Sequence, residues 1–250
     1  MPTLQPLESQ PVALVTGGGR RIGAEIVRVL HAANYRVVVH YSRSVSEATE
    51  LASELNSSKP GSVRLVSGNL LDFCSYQMLA NEALMAFGRL DLLVNNASTF
   101  YPTPLGDITE SEWDDLIGSN LKAPTFLSQA LVPALRESRG SIVNIVDVHA
   151  RQPMAGHLVY CSAKAGLQML TLSLAKELGP DIRVNGVAPG AILWADNESD
   201  SEQQAEIVSR TALKRMGSPV DIAQAVLYLA TANYVTGHIL DVDGGRSLGW

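Results

Sequence analysis

The stretch VALVTGGGRRIG, residues 12–23, decides the fold. Its apolar start predicts a buried strand, and the glycines that follow allow a tight turn into a helix beginning near Ile22. A helix N-terminus attracts anions, and this order brings it up to the turn. We therefore interpret the stretch as a strand, a pyrophosphate-binding loop and a helix, the alternative being a merely flexible connection.

Downstream, short apolar runs alternate with segments of helical period. Continuous apolar character is typical of strands covered by helices on both faces. With right-handed crossovers, this order predicts one Rossmann-type, doubly wound α/β domain, a seven-stranded parallel sheet flanked by helices on both faces. The predicted strands are 12–16, 35–41, 63–68, 90–95, 141–146, 182–188 and 238–243, and the predicted helices are 22–33, 47–55, 76–87, 112–136, 159–178 and 221–229.

The composition is that of an ordinary globular protein. The chain has 250 residues, of which 46% are hydrophobic and 18% charged, and its net charge is −6. This charge argues against a protein that holds nucleic acid or an anionic membrane through its overall field. Two cysteines, Cys74 and Cys161, are too few for a disulfide framework and lack metal-ligand spacing, which predicts no metal site and a cytoplasmic location.

The predicted domain spans residues 11–250 and follows a flexible arm, residues 1–10. The arm has neither the basic start nor the apolar core of a secretion signal, which indicates a soluble protein. Residues 191–210 are polar and acidic, and their pattern fits no strand or helix. We predict that they form a lid over the site, the alternative being a surface excursion.

Cations near the predicted nucleotide ribose favour NADPH. At the end of the second strand, a carboxylate would bond the 2′-hydroxyl of NAD, whereas a cation accommodates the 2′-phosphate of NADP. Arg43 stands there, and Arg20 and Arg21 face it from the glycine loop. Each arginine alone would be an ordinary surface charge, so the prediction rests on the convergence of all three.

Tyr160 and Lys164 lie four residues apart on one face of a predicted helix. A nearby cation can lower the pKa of a phenol from about 10 by roughly 1–3 units, which makes the phenol a workable general acid or base. The alternative is an ordinary amphipathic helix. The position after a nucleotide loop and a fifth strand favours catalysis, and Asp147, thirteen residues upstream, ends that strand.

The chain resembles the short-chain dehydrogenase/reductases. The matching segments are TGGGRRIG (16–23), LVNNAS (93–98), Asn120, YCSAK (160–164) and VAPG (187–190), in this order. The resemblance implies that Tyr160 donates the proton, that Lys164 lowers its pKa and holds the nicotinamide ribose, and that Asn120 supports a proton-relay water. The family usually places a serine thirteen residues before the tyrosine, where this chain has Asp147.

Asp147 narrows the expected substrate. A serine hydroxyl can donate to an oxygen whose negative charge grows, whereas a carboxylate would repel that charge. An acid suits a ring nitrogen that gains a proton, or amino and ring N–H groups that need an acceptor, and pterins offer both. Arg21 is a second departure, because it replaces the middle glycine of the family's loop. With NNASTFYPTPL (95–105), HYSRS (40–44) and VNGVAPG (184–190), these departures resemble the pteridine reductases.

That branch implies an NADPH-dependent reductase of biopterin and dihydrobiopterin, with folate and dihydrofolate as further substrates. The substrate residues would be Phe100, which stacks the pterin against the nicotinamide, Ser98, Arg21, Asp147 and Tyr160. Phe100 read alone could be ordinary loop packing. The expected cofactor contacts are Gly17, Arg20, Arg21, Ile22, Gly23, His40, Tyr41, Arg43, Ser44, Asn69, Leu70, Asn96, Ala97, Ser98, Lys164, Pro189 and Gly190.

Asn69 replaces the family's usual aspartate, and its side-chain carbonyl could still bond the adenine amino group. His149 and His157 either line the pocket or are solvated loop residues. The resemblance further implies a homotetramer, with residues 242–250 touching a neighbouring subunit's site.

Two other functions stay open. One is a carbonyl or 3-oxoacyl-thioester reductase of the same family, against which Asp147 and Phe100 weigh. The other is a regulator that binds NADPH without turnover, which an intact Tyr160 and Lys164 disfavour.

Overall fold

The computed structural model describes residues 10–192 and 201–248. Within these ranges there is one sheet of seven strands, all parallel, in the order β3-β2-β1-β4-β5-β6-β7. This confirms the predicted doubly wound fold. The strands are β1 Val12–Val15, β2 Arg36–Tyr41, β3 Val63–Ser67, β4 Leu92–Asn95, β5 Ser141–Ile145, β6 Arg183–Pro189 and β7 Ile239–Val242.

Helices cover both faces of the sheet. One face packs against α1 (Arg21–Ala32), α2 (Val45–Ser58) and α8 (Pro219–Thr231), and the other against α3 (Ser75–Phe87), α5 (Ala123–Ser138) and α6 (Leu158–Leu178). Side chains of a strand alternate between faces. Ala13 and Val15 of β1 accordingly join the first core and Val12 and Leu14 the second, all fully buried.

The predicted helix 112–136 is divided in the structure. It consists of α4 (Glu110–Ile117), a π-helical turn (Gly118–Lys122) and α5. The three parts follow one another without a non-helical break, so the sequence pattern predicted one continuous helix. The turn lies against the loop after β3, where a Cβ on Gly118 would come 2.8 Å from Cδ2 of Leu71. It contains Asn120, a predicted catalytic residue.

Two of the predicted segments lie wholly or partly outside the described residues. The arm is described only at Gln10, which is buried and donates to the Asn34 side chain. Of the predicted lid, 193–200 fall outside, and α7 (Ser201–Ser209) forms a helix where none was predicted. The lid and the arm remain predictions.

Helix α6 is long and apolar enough, by length and composition, to cross a membrane. Within the fold, 44% of the relevant window is buried and the helix packs against β6. We therefore assign α6 as a core helix of an α/β domain.

Candidate active site

The predicted site residues gather at one edge of the sheet. Gly17 follows β1, Arg43 and Ser44 follow β2, Asn69 follows β3, and Asp147 follows β5. In parallel sheets, ligands bind beyond the carboxyl ends of the strands, at the point where the strand order reverses. That point lies here between β1 and β4, directly beside the glycine loop.

The glycine loop, residues 16–23, has the shape of an anion cradle. Gly17 has φ +60°, and a Cβ on Gly23 would lie 2.2 Å from the Gly17 carbonyl oxygen, so no side chain fits there. The cap residue of α1, Arg20, makes no side-chain capping bond, and the first turn carries no acid. The N-terminus of α1 thus suits a pyrophosphate, whose negative charge complements the helix dipole.

Arg21, the first residue of α1, has φ +53°. This left-handed conformation costs a non-glycine residue about 1 kcal/mol or more. It explains why the family's loop has a glycine here. Its side chain is exposed at the mouth of the loop, as is that of Arg20.

The loop also adjoins the turn after β2. A Cβ on Gly19 would lie 3.0 Å from the hydroxyl of Ser44. The exposed Arg20 and Arg43 are the chain neighbours of these two residues. The segments that carry these two arginines are therefore adjacent in the structure.

Several predicted cofactor residues point into the protein, where their side chains form hydrogen bonds with the glycine loop. Asn96 Nδ2 donates to the carbonyl oxygens of Thr16 (2.8 Å) and Gly17 (3.1 Å). The Thr16 hydroxyl accepts from the N–H groups of Asn96 and Ala97. His40 is buried beneath the loop. Sequence reasoning missed Thr16, although it precedes the first glycine.

The remaining predicted cofactor residues differ in exposure. Asn69 is exposed, and its side-chain oxygen accepts from the N–H of Leu71 at 3.1 Å. Leu70 is buried, and Ile22 and Tyr41 are half-buried. At the end of β6, Pro189 is buried, and a Cβ on Gly190 would come 2.7 Å from the Cα of Asp243.

Tyr160, Asp147 and Lys164 form one cluster, in which Tyr160 and Lys164 are buried and Asp147 is half-buried. The Tyr160 hydroxyl donates to Oδ2 of Asp147 at 2.7 Å, and Oδ1 of the same carboxylate accepts from the N–H of His149 at 2.8 Å. Lys164 Nζ donates to the Ile145 carbonyl at 2.9 Å and lies 5.7 Å from the centre of the Tyr160 ring.

The expected lowering of the Tyr160 pKa is wrong. Burial and the neighbouring Asp147 carboxylate, which also accepts the phenol's hydrogen bond, raise the pKa of Tyr160 well above 10. Burial lowers the pKa of Lys164 to about 8, partly offset by attraction to Asp147. With an acid in place of the usual serine, the phenol is a firmly protonated donor.

Phe100 completes the cluster from the β4 loop. Its ring is 44% exposed and meets the Tyr160 ring edge to face, with centroids 4.8 Å apart. The His157 ring stacks on Phe100 at the same separation, 11° from parallel. Of the two alternatives that the sequence left open for His157, this stacking favours the one in which it lines the pocket.

Hydrogen bonds to the π turn hold the Phe100 loop. Ser98 Oγ donates to Oδ1 of the fully buried Asn120 at 2.6 Å, and Asn120 Nδ2 donates to the Thr99 carbonyl at 3.0 Å. On the other side of Phe100, the Tyr101 hydroxyl donates to Asp115 at 2.9 Å. Burial, together with this bond, raises the pKa of Tyr101 to about 12. Asn120 thus fixes the loop that carries Phe100, a role that the sequence did not suggest.

Comparison with known proteins agrees with this geometry. The model of the family described as enoyl-(acyl carrier protein) reductase matches residues 18–247. The chain belongs to the short-chain dehydrogenase/reductase family. Membership makes it an oxidoreductase and implies a nicotinamide cofactor, which the glycine loop fits.

Three relatives illustrate the range of similarity. Pteridine reductase 1 of Leishmania tarentolae is 37% identical over 279 residues, covering 95% of this chain and 96% of its own. A 3-oxoacyl-(acyl-carrier-protein) reductase of Staphylococcus aureus is 36% identical over 239 residues, covering 93% and 96%. An uncharacterized oxidoreductase of Mycobacterium tuberculosis is 35% identical over 241 residues, covering 94% and 91%. Identity alone therefore does not select a substrate for this short-chain reductase.

We predict that Tyr160→Phe lowers the turnover number of this short-chain reductase at least about 100-fold, because the variant has no proton to deliver. The dissociation constant of the reduced nicotinamide cofactor should stay within about threefold of the parent value, since the ring remains in place. Steady-state kinetics and fluorescence titration measure the two effects. Parental turnover in the variant would exclude Tyr160 as the proton donor.

We predict that Lys164→Met folds at least as stably as the parent while losing activity. The lowered pKa of Lys164 means that burying the ammonium costs about 3 kcal/mol below pH 8, more than the one hydrogen bond contributes. The cost disappears as pH rises from about 8 to 10.5, so the advantage of the variant should shrink over that interval. Urea unfolding of parent and variant at about pH 8 and pH 10.5 measures the difference in stability. A large loss of stability in the variant at pH 7 would contradict this account.

Proposed function

We propose that this chain is an NADPH-dependent pteridine reductase, which reduces biopterin or dihydrobiopterin and accepts folate or dihydrofolate. The observation that carries the proposal is the 2.7 Å hydrogen bond between the Tyr160 hydroxyl and Asp147. The similarity to the Leishmania pteridine reductase supports it.

A carboxylate beside the proton donor disfavours ketones. Reduction of a ketone builds negative charge on oxygen, and a carboxylate one hydrogen bond from the donor would repel it. A ring nitrogen that takes up the electron pair of a C=N bond is strongly basic, so even a weakly acidic phenol can protonate it. The product is a neutral N–H, which a carboxylate tolerates.

Each residue of the cluster has a defined task in this reaction. NADPH, when bound, supplies the hydride to a ring carbon. Tyr160 passes its hydroxyl proton to the adjacent ring nitrogen and regains one from water. Asp147 accepts hydrogen bonds from N–H and amino groups of the pterin, and the Lys164 ammonium offsets the negative charge that Tyr160 and Asp147 share during the transfer. Phe100 offers an exposed aromatic face to the flat ring.

The cationic loop supports NADPH rather than NADH as the reductant. Arg43, Arg20 and Arg21 are exposed where the ribose would bind, and the turn after β2 offers no carboxylate at that point. A guanidinium binds phosphate well through parallel hydrogen bonds.

A homotetramer is part of the same proposal. Leu158, Met169 and Leu172 expose apolar surface along the outer side of α6. Second copies of the chain would cover such surface.

Reduction of 3-oxoacyl thioesters is the second candidate. It is supported by the Staphylococcus aureus relative, whose identity to this chain is nearly the same as that of the pteridine reductase.

A substrate panel tests the proposal. We expect NADPH oxidation with dihydrobiopterin, biopterin or folate and, because Asp147 repels an oxyanion, little with an acetoacetyl thioester. We expect Asp147→Ser to lower kcat/KM for pterins at least about 100-fold while NADPH affinity changes less than about threefold.

The matched control is Asp181→Ser, which removes an exposed acid at the opposite edge of the sheet, where it pairs with Arg136. It should leave all rates unchanged. Activity of the parent on the thioester alone would refute the pterin assignment, and pterin reduction by Asp147→Ser at the parental rate would refute the role of the acid.

We predict that Arg43→Ala lowers kcat/KM for NADPH at least about tenfold and leaves that for NADH nearly unchanged, because only NADPH has the 2′-phosphate. Arg64→Ala is the control, since Arg64 is exposed at the amino end of β3. An equal loss with both cofactors would place Arg43 elsewhere than at the 2′-phosphate.

A further inference from the structure

His40 is a buried side chain with two hydrogen-bond partners and no role in the chemistry above. It lies within β2, between β1 and β3, and only 1% of it is exposed. The Gly17 N–H donates to His40 Nδ1 at 3.2 Å, and His40 Nε2 lies 3.2 Å from the Gly68 carbonyl oxygen. A carbonyl can only accept, so Nε2 carries the proton and Nδ1 carries none. The ring is therefore neutral.

The two partners belong to different ends of the nucleotide site. Gly17 opens the glycine loop, and Gly68 immediately precedes Asn69 at the end of β3. Backbone bonds join the same segments to β2, because the Gly18 N–H donates to the His40 carbonyl at 2.9 Å and the Gly68 N–H to the Tyr41 carbonyl at 3.1 Å. The imidazole thus links the segment expected at the pyrophosphate to the segment expected at the adenine.

We propose that His40 is a positioning residue of the dinucleotide site. Its ring fixes the direction of the first loop amide and the spacing between the loop and the Asn69 segment, without touching the cofactor. Consecutive glycines leave a loop many accessible conformations. A fixed acceptor beneath Gly17 removes part of that freedom before binding, and so lowers the cost of ordering the loop around a ligand.

The arrangement requires an unprotonated Nδ1. A second ring proton would face the Gly17 N–H and place two donors against each other. Burial lowers the pKa of His40 to about 4, which the bond to Gly68 partly offsets. No charged residue on the surrounding elements contributes to this pKa shift. The charged residues on those elements are Arg20, Arg21, Arg36, Arg43, Arg64, Asp72 and Glu82. The ring is therefore neutral at physiological pH.

Two amide substitutions separate the two bonds of His40. The side-chain amide of asparagine reaches the position of Nδ1, and that of glutamine the position of Nε2. We expect His40→Gln, which lacks the acceptor for Gly17, to raise the dissociation constant of NADP⁺ at least about tenfold in calorimetric titration. His40→Asn should stay within about threefold of the parent.

His31 provides the matched control. It is buried to a similar degree and bonds the Ser62 hydroxyl at 2.8 Å, but it lies in the last turn of α1, roughly 15 Å along the helix from the loop. His31→Gln should lower the melting temperature and leave NADP⁺ affinity unchanged. The proposal is overturned if His40→Gln binds as tightly as the parent, or if His31→Gln loses as much affinity.

Nitrogen NMR of the parent keeps the test valid should the His40→Gln variant not fold. His40 should show Nδ1 unprotonated and Nε2 protonated down to about pH 5, and the Nδ1 resonance should move when NADP⁺ is added. A protonated Nδ1 at neutral pH, or a resonance that NADP⁺ leaves unmoved, would overturn the proposal. The inference rests on one part of the proposed function, the binding of NADPH. A parent protein that binds no NADP⁺ would refute that part. Activity on a substrate other than pterins would refute the pterin assignment and leave the role of His40 intact.

Discussion

The site depends on one backbone contact. The Gly17 carbonyl lies where a Cβ on residue 23 would be, so α1 can approach the end of β1 only because residue 23 is glycine. This approach sets the first N–H groups of α1 beside the reversal of the strand order. The side chains of Thr16, His40 and Asn96 then hold the loop from below. An anion site results from packing rather than from a dedicated binding residue.

The chemistry depends on a second constraint, the burial of Tyr160 and Lys164 beside the Asp147 carboxylate. Burial raises the pKa of Tyr160 and lowers that of Lys164, whereas the Asp147 carboxylate raises the pKa of both, an effect that an uncharged serine would not have. The cluster therefore retains its proton on the tyrosine. Such a cluster suits delivery to a basic nitrogen better than stabilisation of an oxyanion.

The sequence predicted the fold and the edge of the sheet at which the candidate residues lie, because strand order and glycine spacing are local signals with a fixed structural meaning. The proximity of Tyr160 and Lys164 also followed from spacing, since the two residues share one face of a helix. The electrostatics did not follow, because the pKa of a phenol depends on burial and on Asp147, which spacing does not measure. The π turn around Asn120 was not predicted either, since it joins α4 to α5 without a non-helical break. The sequence also did not show that the His40 side chain points into the protein, because this depends on which strands flank β2.

Arg21 has a backbone conformation that glycine would adopt at lower energy. Its backbone lies in the left-handed region, where glycine carries no steric cost. A glycine at this position would relax the backbone and remove the guanidinium in one step. Folding and ligand recognition therefore make different demands on this one position.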